Sequence, residues 1–151
     1  NSVALFCLGI PGAEKTIIVS IVIDCLQSNL KDHDFKIAYP HYILRRVDDQ
    51  TVERLINNLV KQLLRSKLPP PSAVMDAYNQ YKKQRPHPLL DDHEIFHSIA
   101  ALYKDGVFVI VDALDECQMG DNVRFKFIEA LLRLQSKESN VNLLATSCPV
   151  P

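Results

Sequence analysis

The chain is short of net charge, of paired cysteines, of long apolar runs, and of one glycine that its most telling motif asks for. Its 17 Lys and Arg nearly balance 18 Asp and Glu, for a net charge of −1. No strongly basic face is implied, which sets nucleic acid aside as a partner. No apolar run reaches bilayer-spanning length and no signal-peptide layout opens the sequence. We therefore expect no membrane partner and a cytoplasmic protein. Cys7, Cys25, Cys117 and Cys148 form no C-x-x-C pair. Zinc is thereby disfavoured, and small buried hydrophobes in a reducing compartment are expected. Repeats and low-complexity tracts are missing too. What is present is an ordinary globular balance, 47% hydrophobic and 23% charged over 151 residues, enough for one domain with a core. The first residue is Asn1 and not Met, and the chain opens directly on a strand. Residues 1–151 thus read as a single domain cut from a longer protein.

The organising stretch is Gly9-Ile10-Pro11-Gly12-Ala13-Glu14-Lys15-Thr16. The apolar run Val3–Leu8 ahead of it reads as a buried strand, and Lys15 to about Asn29 reads as a helix. Strand, Gly-rich turn, Lys-Thr and helix is the layout of a phosphate-binding P-loop. Such a loop turns backbone N–H groups inward, the helix N-terminus adds partial positive charge, and both attract phosphate. Lysine reaches the β and γ phosphates, and the threonine hydroxyl holds Mg²⁺. The motif is G-x-x-x-x-G-K-[ST], and Glu14 stands at its second glycine. Alone, the stretch also reads as a Gly-Pro turn that merely starts a helix.

Its counterpart is Val107-Phe108-Val109-Ile110-Val111-Asp112-Ala113-Leu114-Asp115-Glu116. A run of β-formers ending in an acid reads as a buried parallel strand with a carboxylate at its tip. That is the Walker B arrangement, in which the acid orients Mg²⁺. Asp115 and Glu116 follow where a water-polarising base would sit. Alone, this half is also a buried strand ending in a solvated acidic turn. In this order and spacing the two halves point to an α/β fold, a P-loop NTPase three-layer α-β-α sandwich with a mainly parallel sheet.

Lys36–Tyr42 reads as a second strand, pushed to the sheet edge by Pro40. Asp48, Asp49, Gln50 and Thr51 offer caps for a helix through Arg65, whose Val52, Leu55, Ile56, Leu59, Val60, Leu63 and Leu64 keep helical spacing. Breaks at Pro69–Ser72 and Arg85–Pro88 bracket a polar helix over 72–83. A helix from Asp91-Asp92 carries Ile95, Ile99 and Leu102, with His93 and His97 an exposed pair that lacks a third metal ligand. After a turn at Cys117–Asp121, with Asp121 a candidate cap, a helix over Val123–Ser136 would bury Phe127, Ile128, Leu131, Leu132 and Leu134. Val141–Thr146 is the last strand. Strands alternating with helices argue a parallel sheet covered on both faces.

These residues resemble a NACHT domain of the STAND class of P-loop NTPases. The likeness rests on Gly9–Ala13 with Lys15-Thr16, on Asp112-Ala113-Leu114-Asp115-Glu116-Cys117, and on Leu144-Ala145-Thr146-Ser147 with Pro149. It is nearest to fungal NACHT–ankyrin or NACHT–WD repeat proteins, including the nephrocystin-3-like N-terminal type. The resemblance implies a nucleotide-dependent signalling switch that binds ATP or ADP (or GTP) with Mg²⁺. It implies an effector domain before the module, repeats after it, and a homo-oligomeric active form. Gly9 to Thr16 would hold the nucleotide, Lys15 touching phosphate. Thr16 and Asp112 would hold Mg²⁺, and Asp115 and Glu116 would flank the attacking water. Thr146 and Ser147 would lie on the sensor strand. The family has glycine at Glu14 and a γ-phosphate-reading arginine at Cys148. The resemblance also implies the strand order second, Walker B, sensor, P-loop. A fifth strand beyond this chain would pair with Val3–Leu8, which is otherwise an apolar edge prone to association. A pseudo-NTPase scaffold that contacts partners without nucleotide, or a nonfunctional fragment of a decaying gene, are the other readings.

Overall fold

A computed structural model describes residues 2–39, 51–65, 70, 72, 74–76, 79, 92–116, 121–136 and 140–149. Its elements in chain order are β1 (Ala4–Leu8), α1 (Lys15–Asn29), β2 (Phe35–Ala38), α2 (Val52–Leu64), α3 (Asp92–Ala100), β3 (Gly106–Val111), a short 3-10 turn (Leu114–Glu116), α4 (Asp121–Ser136) and β4 (Val141–Ser147). The strands form one parallel sheet in the order β1-β4-β3-β2. β4 therefore separates the strand before the glycine loop from the strand that Asp112 follows, as the resemblance implies.

Alternation along each strand sorts side chains to opposite faces. Val107, Val109 and Val111 of β3 join Leu143 and Ala145 of β4 on one face. There they meet Leu55, Ile56, Leu59 and Leu63 of α2, Phe96 and Ile99 of α3, and Phe127, Leu131 and Leu134 of α4. Ile110 and Leu144 point the other way, with Ile37, and are covered by Val19, Val22, Ile23 and Leu26 of α1. Helices thus cover both faces, and the near-continuous apolar run of β3 follows from that double burial.

Local chemistry fixes the ends of the elements. Thr51 caps α2, its hydroxyl accepting from the Arg54 N–H at 3.3 Å. The Gln62 amide accepts from the Tyr39 N–H and donates to the Tyr39 carbonyl, both at 2.9 Å. A side chain thereby stands in for a neighbouring strand just past β2. The Tyr103 hydroxyl donates to the Leu63 carbonyl at 2.6 Å and ties the end of α3 to α2 in the core.

Several boundaries differ from the sequence reading. β2 ends at Ala38, at the sheet edge as expected; the continuation through Pro40, His41 and Tyr42 lies outside the described residues. So do Asp48–Gln50, the Arg85–Pro88 break, most of the 72–83 helix, Cys117 and the side chain of His93. α4 begins at Asp121, which is inside the helix and not a preceding cap. Leu132 is exposed because it falls on the solvent side of the stripe formed by Phe127, Leu131 and Leu134. Leu102 lies beyond the end of α3 and is exposed as well. Cys25 is exposed and Cys7 and Cys148 are half-buried, so the buried-hydrophobe expectation fails for Cys25, which sits on the flank of α1 turned from the sheet. Among the described residues no helix is long and apolar enough to cross a membrane.

Gly106 opens β3 at φ +105°, where an added Cβ would lie 2.8 Å from the Asn140 carbonyl oxygen. That same oxygen accepts from the Val107 N–H at 2.9 Å, so the approach cannot relax without breaking the β3–β4 ladder. We expect Gly106→Ala to destabilise the fold by about 1–3 kcal/mol, read as a lower urea midpoint.

Candidate functional site

β1 stops at Leu8, and the Gly9 N–H donates to the Ser147 carbonyl at 3.1 Å, pinning the following loop to the end of β4. Within the loop the Ala13 N–H donates to the Ile10 carbonyl at 3.1 Å, and Gly12 takes φ +82°. Glu14 has φ 52° and ψ 29°, the left-handed conformation, and its side chain makes no capping bond. A side chain in that region costs about 1–2 kcal/mol relative to glycine. Position 14 is therefore built for glycine, and glutamate occupies it under strain. Helix α1 starts at Lys15. Among the described residues none accepts a hydrogen bond from the N–H groups of Gly12, Glu14, Lys15 or Thr16. These are the orphan donors of a helix start, aimed where an anion is favourable.

The Lys15 ammonium is folded back on its own loop. It donates to the Gly9 carbonyl at 2.8 Å, to the Ile10 carbonyl at 3.1 Å and to Cys148 Sγ at 3.1 Å. Across from it, β3 ends at Val111, and the next residue, Asp112, is only 8% exposed. The Thr146 hydroxyl donates to Asp112 Oδ1 at 2.6 Å and accepts from the Ala113 N–H at 3.0 Å. One hydroxyl on β4 thus fixes both the carboxylate and the turn after it. The turn needs fixing, because Ala113 also takes a positive φ, 54°. Asp115, at the centre of the 3-10 turn, accepts from the Cys148 N–H at 2.6 Å through Oδ1. Burial pushes its carboxyl pKa up. Bonds from the Cys148 N–H and side chain, with the Lys15 charge nearby, outweigh that and hold it below the usual carboxylate value.

A cavity of about 390 Å³ lies between these parts, lined by Pro11 to Thr16, Asp112, Ala113, Asp115 and Cys148. A second of about 210 Å³ shares Thr16 and Asp112 and continues past Ser20 and Tyr39. The structure thus brings Pro11, Gly12, Ala13, Glu14, Lys15, Thr16, Asp112 and Asp115 around one space. Gly9 and Ile10 do not line it and instead supply the carbonyls that hold Lys15. Ser147 turns away, its hydroxyl donating to the Cys148 carbonyl at 2.9 Å. The side chain of Glu116 lies outside the described residues. Among the described residues no group of three or more His, Cys, Asp or Glu is placed to hold a metal. Thr16 and Asp112 would leave most ligand positions to phosphate and water, which suits Mg²⁺ and not zinc. No sequence pattern points to the Thr146–Asp112 bond or to the Lys15–Cys148–Asp115 chain. Both join residues more than thirty positions apart, which only β4 brings together.

A family profile described as nephrocystin 3, N-terminal matches residues 1–148. Comparison with curated proteins gives no match.

Removing the bridging hydroxyl leaves an acid and an N–H without their partner. Thr146→Val should cost about 1–3 kcal/mol in urea unfolding, with Thr146→Ser recovering most of it. The lowered pKa of Asp115 makes its bonds stabilising above its ordinary value of 3.8, and that contribution is lost as pH falls through the folded value. Asp115→Asn should therefore lower the urea midpoint at neutral pH and flatten its fall under acid.

Proposed function

The chain belongs to the nephrocystin 3 N-terminal family, and on that premise we propose that it is a NACHT-like nucleotide-binding module of a signalling NTPase. The observation that supports this most directly is that Lys15, Thr16 and Asp112 line one cavity with the unpaired N–H groups of a helix start. The donors suit a phosphate chain with a hard cation. The volume, about 390 Å³, lies within the range of small-molecule sites. In this reading the loop N–H groups and Lys15 hold the phosphates of ATP or ADP (or GTP), and Thr16 and Asp112 hold Mg²⁺. Asp115 and Glu116 are the acids nearest an attacking water. An effector domain, a repeat domain and further copies would be the partners through which the nucleotide state is read.

Two features weaken binding. Glu14 brings a carboxylate to the cavity that would receive phosphate. Two like charges about 4 Å apart repel by about 4 kcal/mol at a near-surface dielectric, an upper bound for an exposed side chain that salt screens. Lys15 must also give up its loop carbonyls and Cys148 before it can meet a phosphate. The same features favour a second reading, a scaffold that keeps the fold and engages partners without nucleotide.

Calorimetric titration of ATP with and without Mg²⁺ separates the two. We expect weak Mg²⁺-dependent binding by the wild type and about tenfold tighter binding by Glu14→Gly, a change of roughly 1.4 kcal/mol. Relief of the left-handed strain should also stabilise the variant by about 1 kcal/mol. Arginine restored by Cys148→Arg should affect hydrolysis more than ground-state binding. No binding by folded wild type and folded Glu14→Gly alike would leave the scaffold reading.

A further inference from the structure

Away from the glycine loop, β2 and the end of α2 line a cavity of about 380 Å³, within the range of small-molecule sites. Successive residues of a strand face opposite sides of the sheet, and here that sorts the lining by chemistry. Phe35 and Ile37 pack on the α1 side, and Tyr39 follows them in the same alternation. The Phe35 ring stands edge-on to Phe108, ring centroids 6.0 Å apart, which holds it in place. Tyr39 is 41% exposed and so keeps ring surface for a ligand. Lys36 lies between Phe35 and Ile37 and belongs to the α2 side. Arg65 lines the cavity with it, from the C-cap of α2. The cavity thus has an apolar wall and a cationic wall. No Asp or Glu lines it, whereas the loop cavity carries Glu14, Asp112 and Asp115.

The lining is also fixed in advance. The Gln62 amide bonds both main-chain groups of Tyr39 and donates to Asn58 Oδ1 at 2.7 Å. Both of its amide hydrogens are therefore used within the protein, and charge recognition falls to Lys36 and Arg65. We propose that this cavity binds a small phosphate monoester with a flat aromatic body. The ring would lie against Phe35, Ile37 and Tyr39, and the phosphate against Lys36 and Arg65. A phosphate monoester carries a charge of about −1.5 to −2 at neutral pH, which matches two cations better than a single carboxylate does. The guanidinium fork suits its oxygens, and aromatic rings favour offset or edge-on contact with a second ring. This inference does not depend on nucleotide binding at the glycine loop.

The test is titration of the isotope-labelled 151-residue chain with phenyl phosphate, followed by amide chemical shifts. We expect saturable shifts at Phe35–Tyr39 and Gln62–Arg65, and none that saturate at Gly12–Thr16. Arg65→Gln and Lys36→Gln, each with an otherwise unchanged spectrum, should bind about tenfold more weakly. Inorganic phosphate and phenol should each bind at least about tenfold more weakly than phenyl phosphate, because each keeps half of the contacts. The proposal is overturned by the lack of saturable shifts at Phe35–Tyr39, by shifts confined to Gly12–Thr16, or by full affinity in both folded variants. Inorganic phosphate binding as tightly as phenyl phosphate would overturn the role of the apolar wall. A short phosphotyrosine peptide that binds at least about tenfold tighter than phenyl phosphate would overturn the small-molecule assignment in favour of a peptide partner.

Discussion

The parallel ladders that meet on β4 are the constraint on which the rest depends. Pairing Ala145 with Val111 on one side and Thr146 with Cys7 on the other brings the ends of β1, β3 and β4 to a common edge. The glycine loop, Asp112 and Cys148 then converge there, although the loop lies roughly a hundred residues or more ahead of the other two in the chain. The ladder also decides the small contacts. Gly9 bonds to Ser147, and Thr146 bonds to Asp112 and Ala113, because β4 ends level with both of its neighbours.

Backbone strain and polar burial gather at that edge. Glu14 and Ala113 are the non-glycine residues with positive φ among those described, and both line the cavity. Such conformations persist only where surrounding bonds over-determine them. Ala113 is held by the Thr146 hydroxyl. Glu14 is held by the turn before it and by α1 behind it, whose Ile17 and Ile18 N–H groups both donate to its carbonyl. Among the described residues the buried polar side chains are Asp112 and Thr146, and they bond to each other. The lysine is kept in place by main-chain oxygens rather than by an acid. An incoming anion must compete with those oxygens and with Cys148 Sγ for the lysine.

The two halves of the sheet differ in how far they are sealed. β3 and β4 are buried on both faces, and α2, α3 and α4 form the larger core against them. The α1 side holds a smaller cluster. Among the described residues the covering is thinnest at β1, where Leu5, Phe6 and Leu8 are exposed, and that strand leads into the loop.

The sequence by itself determined the α/β class, the double burial of the Val107–Val111 strand, the amphipathic stripe of α2 and the start of α1 at Lys15. Each is a local matter: the period of apolar residues and a capping or turn residue settle it within a dozen positions. The side chains around the cavity were likewise named from their motifs, Lys15, Thr16, Asp112 and Asp115 among them. The misplacements include Leu132, Leu102 and Cys25, apolar residues on helix flanks or past a helix end, and the Val3–Leu8 strand, read as buried but exposed at Val3, Leu5, Phe6 and Leu8; hydrophobicity says nothing of which side has a neighbour. Only the tertiary structure decided that Glu14 sits in a left-handed turn, that Lys15 bonds its own loop and Cys148, and that Thr146 holds Asp112. These are matters of φ and of ångström-scale approach between distant strands, and no spacing within one segment encodes them.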